Sequence, residues 1–139
     1  MNNQNHNKSC HILCWNVRGI NSTKKWLALK DKIAETNCSI ICIQETKREH
    51  FDHSYLRNFF SKRFNKFVYH PSVGASGGLI IIWNSATVTG NVISYLPYAI
   101  TMEFTSTSTL IEKWNLTNIY GPCAGELRDE FVNWCLILT

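Results

Sequence analysis

The sequence predicts an α/β protein with a mixed sheet. The chain opens with a strand-helix-strand pattern whose strands are apolar on both faces, and it continues with a run of strands that short turns separate. Strands that are apolar on both faces are typical of a sheet that other elements cover on both sides. Short connections favour antiparallel pairing of consecutive strands. We therefore expect parallel strands in the first part of the chain and antiparallel strands in the second.

The first two strands are predicted from their β-forming residues. His11–Val17 reads HILCWNV, and residues 39–44 read SIICIQ. Because a helix separates these segments, a right-handed crossover should make the strands parallel. Parallel strands leave a sheet at the same edge, so Asn16 and Glu45, at the two strand ends, are expected to emerge together.

Caps and apolar spacing predict three helices. The first continues through about Thr36 and stops at Asn37. Its N-cap candidates are Asn21, Ser22 and Thr23. Its core-facing residues are Trp26, Leu29 and Ile33. The second covers Phe51–Phe64, with inward-facing Tyr55, Phe59 and Phe60. The last covers Glu126–Leu138, and its apolar stripe consists of Leu127, Phe131, Trp134, Cys135 and Leu138.

Five further strands are predicted between the second and third helices. In chain order their segments read KFVYHPS, GLIIIW, ATVTGNVISYL, YAITMEFT and TLIEKWNLTNIYGP. The glycine-rich segment Gly74–Gly78 (GASGG) lies between the first two of them. It lacks the Gly-Lys-Ser/Thr ending of a phosphate-binding loop and precedes a strand, so we interpret it as a hairpin turn.

Length and composition indicate one globular domain. The chain has 139 residues, 45% of them hydrophobic, and a formal net charge of +4. We interpret residues 1–10 as a polar arm and residues 11–139 as the domain. The arm does not resemble a secretory signal, and no apolar run is long enough to span a membrane. We therefore expect an intracellular protein of the nucleus or cytoplasm, without a membrane partner and with an oligomeric state that the sequence leaves open.

Six cysteines raise the question of a disulfide or zinc site: Cys10, Cys14, Cys38, Cys42, Cys123 and Cys135. No CxxC pair occurs, and the two CxxxC spacings place each pair on one face of a strand. In a reducing compartment we expect these side chains to be free thiols that are buried as small apolar groups, without a disulfide partner.

Glu45 ends an apolar strand, and two interpretations of it are open. The strand can simply reach solvent there, or the carboxylate can be a metal ligand that a rigid strand end presents. A carboxylate with Lys47 and Arg48 behind it suits a hard cation held beside a phosphate. The same choice holds for Asn16, which is otherwise a turn residue, and for Tyr120, which is otherwise an aromatic residue at a strand end.

Four motifs, in this order, resemble a known family. ILCWNVRGINS, IICIQETK, ASGGLIIIWN and LTNIYGP look like motifs of the endonuclease/exonuclease/phosphatase superfamily, which includes apurinic endonucleases and DNase I. They look most like the endonuclease domain of a plant LINE-type non-LTR retrotransposon, over about residues 11–138. The resemblance implies the N-terminal half of a four-layer, DNase I-like α/β sandwich, with Mg²⁺ as cofactor and DNA as partner.

The resemblance also implies roles for individual residues. Asn16 matches an asparagine that helps to hold the metal and the scissile phosphate, and Glu45 matches the metal-binding glutamate. Tyr120 matches a tyrosine whose hydroxyl lies against the phosphate. Lys47 and Arg48, with Arg18, are weaker candidates for contacts to DNA phosphates, since surface cations are also commonly just solvated. Lys24 and Lys25 are ambiguous in the same way.

Part of the family's site has no counterpart in residues 1–139. The general base and the stabilisation of the leaving oxygen come, in the family, from an Asp-x-Asn motif and a Ser-Asp-His motif. Neither motif occurs here: no aspartate among Asp31, Asp52 and Asp129 precedes x-Asn, and the five histidines match no catalytic histidine of the family. We therefore expect a truncated nuclease domain with a partial metal site and negligible nicking activity.

Two other interpretations stay open. The chain can be a non-catalytic nucleic-acid-binding remnant, or a translated fragment without function. It can also belong to another phosphoesterase branch of the superfamily that acts on phosphoinositides, sphingomyelin or RNA tails, although the motif wording resembles the nuclease branch.

Overall fold

The strands form two sheets, which confirms the α/β class and the mixed pairing. The structure is a computed structural model and describes residues 10–74, 76–108, 112–122 and 125–138, so most of the predicted polar arm lies outside the described residues. The first sheet has the order β1-β2-β4-β3, with β1 (Ile12–Asn16), β2 (Ile40–Gln44), β3 (Lys66–His70) and β4 (Leu79–Trp83). The second has the order β5-β6-β7, with β5 (Val88–Leu96), β6 (Ala99–Ser106) and β7 (Lys113–Ile119).

The predicted parallel pair is confirmed. Strand β1 pairs with β2 in parallel, and Asn16 is in register with Gln44. Both strands therefore end at the same edge, as predicted for Asn16 and Glu45. Strand β4 lies antiparallel to both β2 and β3, so the glycine-rich segment is part of a hairpin connection, also as predicted.

The expectation that all later consecutive strands pair is wrong for β4 and β5. A turn in which the amides of Thr87 and Val88 donate to the Asn84 carbonyl carries the chain from the first sheet to the second. Val88 is buried in the core between the sheets, and burying it there requires that the chain leave the plane of β4. The remaining pairs, β5 with β6 and β6 with β7, are antiparallel.

Helix α1 (Thr23–Thr36) matches the predicted helix. Its N-cap is Ser22, whose hydroxyl accepts from the Lys25 amide, and its C-cap is Asn37 in the left-handed conformation. Trp26, Leu29 and Ile33 are buried, as the spacing predicts. Each cap depends on residues that are close together in the sequence, so the sequence predicts both ends of the helix.

The predicted helix over Phe51–Phe64 is wrong in extent, because helix α2 covers only His53–Leu56. The Asn58 side chain donates to the Tyr55 carbonyl. A continuing helix would need that carbonyl as the acceptor for the backbone amide four residues later. The remainder of the segment turns and packs its aromatic rings: Phe59 stacks on Trp26 with ring centroids 3.8 Å apart, and Phe60 is buried.

Two cores hold the layers together. Helix α1 and the aromatic segment that follows β2 cover one face of the first sheet. The second sheet covers the other face, mainly through Ile100, Met102 and Phe104 of β6. Helix α3 (Gly125–Leu138) matches the last predicted helix; Phe131 and Trp134 pack on Tyr98, while the Leu138 side chain lies outside the described part. No helix within the described ranges is long and apolar enough to cross a bilayer.

The cysteines only partly follow the expectation of burial. Cys38 and Cys42 are buried, whereas Cys10 and Cys14 are exposed because β1 is an edge strand. Cys38 packs in the core beside α1 and Cys42 in the core between the sheets. The prediction that they share one face is therefore wrong, since Cys38 precedes the start of β2 and escapes its alternation. Cys135 is half-buried, and Cys123 lies outside the described residues.

Candidate active site

Three loops meet at the carboxyl ends of β1 and β2. They are residues 16–21, 45–48 and 72–78, and the loop 45–48 lies between the other two. Backbone hydrogen bonds fix it from both sides. With the donor first, they are Gly19 N to Glu45 O (2.7 Å), Ile20 N to Thr46 O (2.9 Å), Thr46 N to Gly78 O (3.2 Å) and Lys47 N to Gly77 O (2.9 Å). The loop thus continues the order of the sheet past the strand ends, with backbone hydrogen bonds to both neighbouring loops.

The backbone at this place is strained. Among the described residues, four that are not glycine have positive φ, and Asn37 is the helix cap already mentioned. The other three are Arg18 (52°), Glu45 (56°) and Lys47 (54°), all in the loops of the candidate site. Each costs roughly 1–2 kcal/mol relative to a normal conformation, and such residues cluster at functional sites.

Glu45 presents a carboxylate that has no partner within the described part of the chain. Its side chain is half-buried, and none of the described residues hydrogen-bonds to the carboxylate or forms an ion pair with it. A half-buried charge without a partner is costly unless something binds it. The described residues contain no group of three or more His, Cys, Asp or Glu side chains that could hold a metal. Mg²⁺ needs only one or two carboxylates and keeps its waters, so Glu45 fits that ion.

Asn16 is the last residue of β1 and is exposed. Its register with Gln44 places the two side chains on the same face of the sheet, the face that the second sheet covers. The Asn16 Oδ1 atom accepts from the Arg18 amide at 3.2 Å, which holds the side chain beside the turn. An amide oxygen keeps a second lone pair for a cation in that arrangement.

Tyr120 comes from the second sheet and reaches the same edge through Asn118. Asn118 is buried, and its side-chain amide donates to the carbonyls of Ile43 (3.2 Å) and Ile80 (3.0 Å), while its Oδ1 accepts from the Gln44 side chain (2.6 Å). These bonds tie the end of β7 to β2 and β4. Tyr120 follows two residues later, directly beside Gly77, where a Cβ would lie 3.4 Å from the tyrosine ring.

Gly78 is required by the close approach of Thr46. A Cβ at Gly78 would stand 2.1 Å from Thr46 Oγ1, and its φ is +96°. Thr46 is fully buried, and its hydroxyl accepts from the Arg48 amide at 3.3 Å. The glycine-rich segment is therefore both a hairpin connection and a wall of the candidate site.

The three basic candidates differ in the contacts that their side chains already make within the protein. The Arg48 guanidinium carbon lies 3.4 Å from the Tyr55 ring centroid, and its Nε donates to the His50 carbonyl at 2.7 Å. The side chains of Arg18 and Lys47 are exposed, and within the described ranges they make no hydrogen bond or ion pair. Lys24 is exposed, whereas Lys25 donates to the backbone carbonyls of Val17 and Arg18 and so fixes the first loop.

An open depression of about 380 Å³ borders the central loop. Its lining consists of Asn21, Lys47, Arg48, Glu49, His50 and Gly74. Asn21 joins two of the loops, because its side chain donates to the Lys47 carbonyl at 3.1 Å and accepts from Arg48 at 3.3 Å. The depression thus places two cations, Lys47 and Arg48, beside the loop 45–48.

Sequence reasoning placed Asn16, Glu45 and Tyr120 at strand ends but missed the residues that bring them together. These are Gln44, Thr46, Asn118 and the pair Gly77 and Gly78. One signal was present for Asn118: Trp114 and Leu116 alternate with it on the inward face of β7, so a polar residue occupies a core position. A buried amide there needs partners, and the strand ends supply them.

The fold is that of part of a DNase I-like sandwich. No protein-family model matches the chain, and no curated protein sequence does. Among solved structures it is similar to an AP endonuclease, LMAP, from Leishmania major, with a TM-score of 0.62, 17% identity and coverage of 82% of this chain and 40% of that one. At these identities the likeness concerns the fold.

Two further structures support the same assignment. An AP endonuclease from Archaeoglobus fulgidus gives a TM-score of 0.58 at 18% identity, over 94% of this chain and 49% of that one. TDP2 from D. rerio, complexed with a single-strand DNA product, gives 0.55 at 15% identity, over 91% of this chain and 52% of that one. The chain therefore spans about half, or less, of the length of the structures it resembles.

Proposed function

We propose that this chain is part of a Mg²⁺-dependent DNA endonuclease that hydrolyses phosphodiester bonds. In this proposal Glu45 and Asn16 are metal ligands, and Tyr120 contacts the scissile phosphate. The motif wording supports a LINE-type retrotransposon as the parent, whose nuclease nicks DNA to prime reverse transcription. The AP endonuclease fold supports the reaction class.

One observation carries the proposal. The buried amide of Asn118 binds β2 and β4 from the second sheet and so brings Tyr120 to the edge where the half-buried Glu45 carboxylate has no partner among the described residues. Residues with strained backbone cluster at functional sites, and Glu45 and Lys47 both have positive φ at this edge. Burial, strain and an unpaired charge therefore coincide at the edge that the motifs predict.

Each residue has a chemical task in this arrangement. A bound Mg²⁺ would supply Lewis-acid polarisation of a phosphoryl oxygen. The Glu45 carboxylate would anchor it from a loop that is fixed on both sides, and the Asn16 amide oxygen would add a neutral ligand. The Tyr120 hydroxyl can donate to a non-bridging phosphate oxygen, and Arg18 and Lys47 are free to contact neighbouring phosphates.

The residues of this chain supply binding but no evident general base. The sequence contains neither the Asp-x-Asn nor the Ser-Asp-His motif that the family uses for proton transfer. We therefore propose that the 139 residues alone bind metal and DNA and nick poorly. Robust nicking of supercoiled plasmid that Glu45→Ala abolishes would contradict this part of the proposal.

Metal binding tests the proposal without relying on turnover. Binding of Mn²⁺ to the full chain is measured by electron paramagnetic resonance of the free ion, with Mg²⁺ as competitor. We expect Glu45→Gln to weaken binding about tenfold or more. Glu35→Gln is the matched control, because Glu35 is an exposed glutamate on α1 and does not line the depression beside the loop 45–48. Equal loss in both variants, or none in Glu45→Gln, contradicts the assignment of Glu45.

DNA binding tests the basic residues separately. Fluorescence anisotropy with a short duplex should show affinity that falls as salt rises. Lys47→Ala should weaken binding and reduce the salt dependence, whereas Lys30→Ala, on the exposed side of α1, should change neither. Affinity that is insensitive to salt would argue against phosphate contacts and against DNA as the partner.

A further inference from the structure

Cys14 and Cys42 face each other across β1 and β2. They are register partners on adjacent parallel strands, so their side chains leave the same face of the sheet. Paired strands lie about 4.8 Å apart, within the roughly 4.4–6.8 Å between Cα atoms that a disulfide spans. Cys42 packs in the core between the sheets, so the Cys14 side chain leaves β1 on that same face. The register therefore places the two Cα atoms within the range of separations that a disulfide spans.

The two thiols differ in access to solvent. Cys14 is exposed on the edge strand, whereas Cys42 is 1% exposed in the core between the sheets. An external oxidant can reach only the first sulfur, and the second is held next to it. This division into an accessible thiol and an adjacent resolving thiol is the arrangement that thiol-disulfide exchange requires.

We propose that Cys14 and Cys42 form a reversible modification site that oxidises to an intramolecular disulfide by exchange with a low-molecular-weight disulfide of the glutathione class. In the first step the Cys14 sulfur attacks one sulfur of the small disulfide. The S–S bond breaks, a mixed disulfide forms, and one small thiol leaves with the proton from Cys14.

In the second step the Cys42 sulfur attacks the Cys14 sulfur of the mixed disulfide. That bond breaks, the Cys14–Cys42 bond forms, and the second small thiol leaves with the proton from Cys42. The protein loses two electrons and two protons, and the small disulfide gains them. Excess small thiol reverses both steps.

Cys10 and Cys38 also lie near each other, since burial and then the Cys38 thiol raise the pKa of Cys10. Cys10 and Cys38 lie outside β1 and β2, and Cys38 packs on the α1 side of the sheet rather than between the sheets. The register of β1 and β2 therefore fixes the pair Cys14 and Cys42 but not the pair Cys10 and Cys38. We expect the disulfide at the first pair and a mixed disulfide at Cys10.

The test follows the bond directly and does not depend on nuclease activity. The reduced full chain is incubated with glutathione disulfide, alkylated, digested with trypsin and chymotrypsin, and mapped by tandem mass spectrometry. We expect a linked pair of peptides joined through Cys14 and Cys42, with a mass about 2 Da below the sum of the two reduced peptides. Glutathione retained on Cys14 beside a free Cys42 thiol would overturn the proposal.

A variant that keeps only these two cysteines provides the second measurement. It carries Cys10→Ser, Cys38→Ala, Cys123→Ser and Cys135→Ser, and its fold is checked by circular dichroism. After oxidation it should take up no maleimide and carry no glutathione, whereas the same background with Cys42→Ala should retain one glutathione. If the two-cysteine variant does not fold, the peptide map of the unchanged chain decides alone.

Discussion

The side-chain amide of Gln44 donates a 2.6 Å hydrogen bond to Oδ1 of Asn118, across the boundary between the two sheets. The acceptor also uses its own amide to bind the carbonyls of Ile43 and Ile80. A single side chain of β7 thus connects two strands of the other sheet directly beneath the candidate site. The position of Tyr120 relative to Glu45 depends on this connection.

Replacing Asn118 should therefore loosen the sandwich. Asn118→Ala removes three hydrogen bonds and leaves buried polar groups of the first sheet with fewer partners. We expect a loss of about 1–3 kcal/mol in the free energy of unfolding, measured by urea denaturation. Asn115→Ala is the control, because Asn115 lies on the same strand with its side chain exposed. Equal effects of the two substitutions would show that the buried amide has no special part in stability.

Gly78 should tolerate no side chain. Gly78→Ala would place a Cβ 2.1 Å from the Thr46 hydroxyl at a φ of +96°. We expect a loss of about 2–4 kcal/mol from overpacking and backbone strain together, measured by thermal unfolding. Gly74→Ala is the control that separates the steric contact from the backbone strain. The φ of Gly74 is also positive, at +62°, but nothing lies within 4 Å of a Cβ at that residue. A Gly78→Ala protein as stable as Gly74→Ala would mean that Thr46 can move away freely.

Relieving the strain at Glu45 should stabilise the protein while it removes the metal ligand. Glu45→Gly suits a φ of 56°. Glycine has a larger conformational entropy in the unfolded chain, and this opposes the gain from relieving the strain. We therefore expect a net gain of up to about 1 kcal/mol in the free energy of unfolding. Glu49→Gly, at a residue without positive φ, should lower stability instead. A loss at Glu45 similar to that at Glu49 would contradict the idea that the site stores strain.

Acid should weaken the cap of α2 through Asp52. The Tyr55 backbone amide donates to this carboxylate, and with smaller effects from His50 and Arg48 it holds the pKa of Asp52 below its ordinary value of 3.8. A carboxylate whose pKa is lower in the folded state stabilises that state above pH 3.8, and the contribution disappears as the pH falls through the folded pKa. Asn caps equally well but does not titrate.

The measurement compares the unchanged chain with Asp52→Asn between about pH 5 and pH 2. We expect any stability advantage of Asp52 at pH 5 to diminish as the pH falls. An advantage that stays constant over this range would show that the charge of Asp52 does not contribute.

Local signals explain which parts of the fold the sequence predicts. Ser22 and Asn37 mark both ends of α1, and the two apolar strands beside it follow from their composition. The helix after Phe51 is shorter than its periodicity predicts, because ring packing around Trp26 outweighs helix periodicity there. The passage of the chain between sheets at Asn84 has no local signal that distinguishes it from a hairpin turn.

The candidate site likewise has features that the sequence predicts and features that it does not predict. Asn16 and Glu45 could be placed together because a parallel crossover brings strand ends to one edge. The bond between Gln44 and Asn118 joins residues 74 positions apart, and no pattern within either segment reveals the other partner. The strained φ values at Glu45 and Lys47 arise from the loops on both sides and are likewise invisible in the sequence.

The division of the sheets along the chain has a consequence for synthesis. Within the described residues, every strand of the first sheet lies before residue 84 and every strand of the second lies after residue 87. As the chain leaves the ribosome, the sheet that carries Asn16 and Glu45 can assemble before β7 exists. Until β6 has been synthesised, the inner faces of β2 and β4 lack their main cover, Ile100, Met102 and Phe104, so a nascent chain that pauses there exposes apolar residues of the core. We expect chaperone binding to be strongest in that interval.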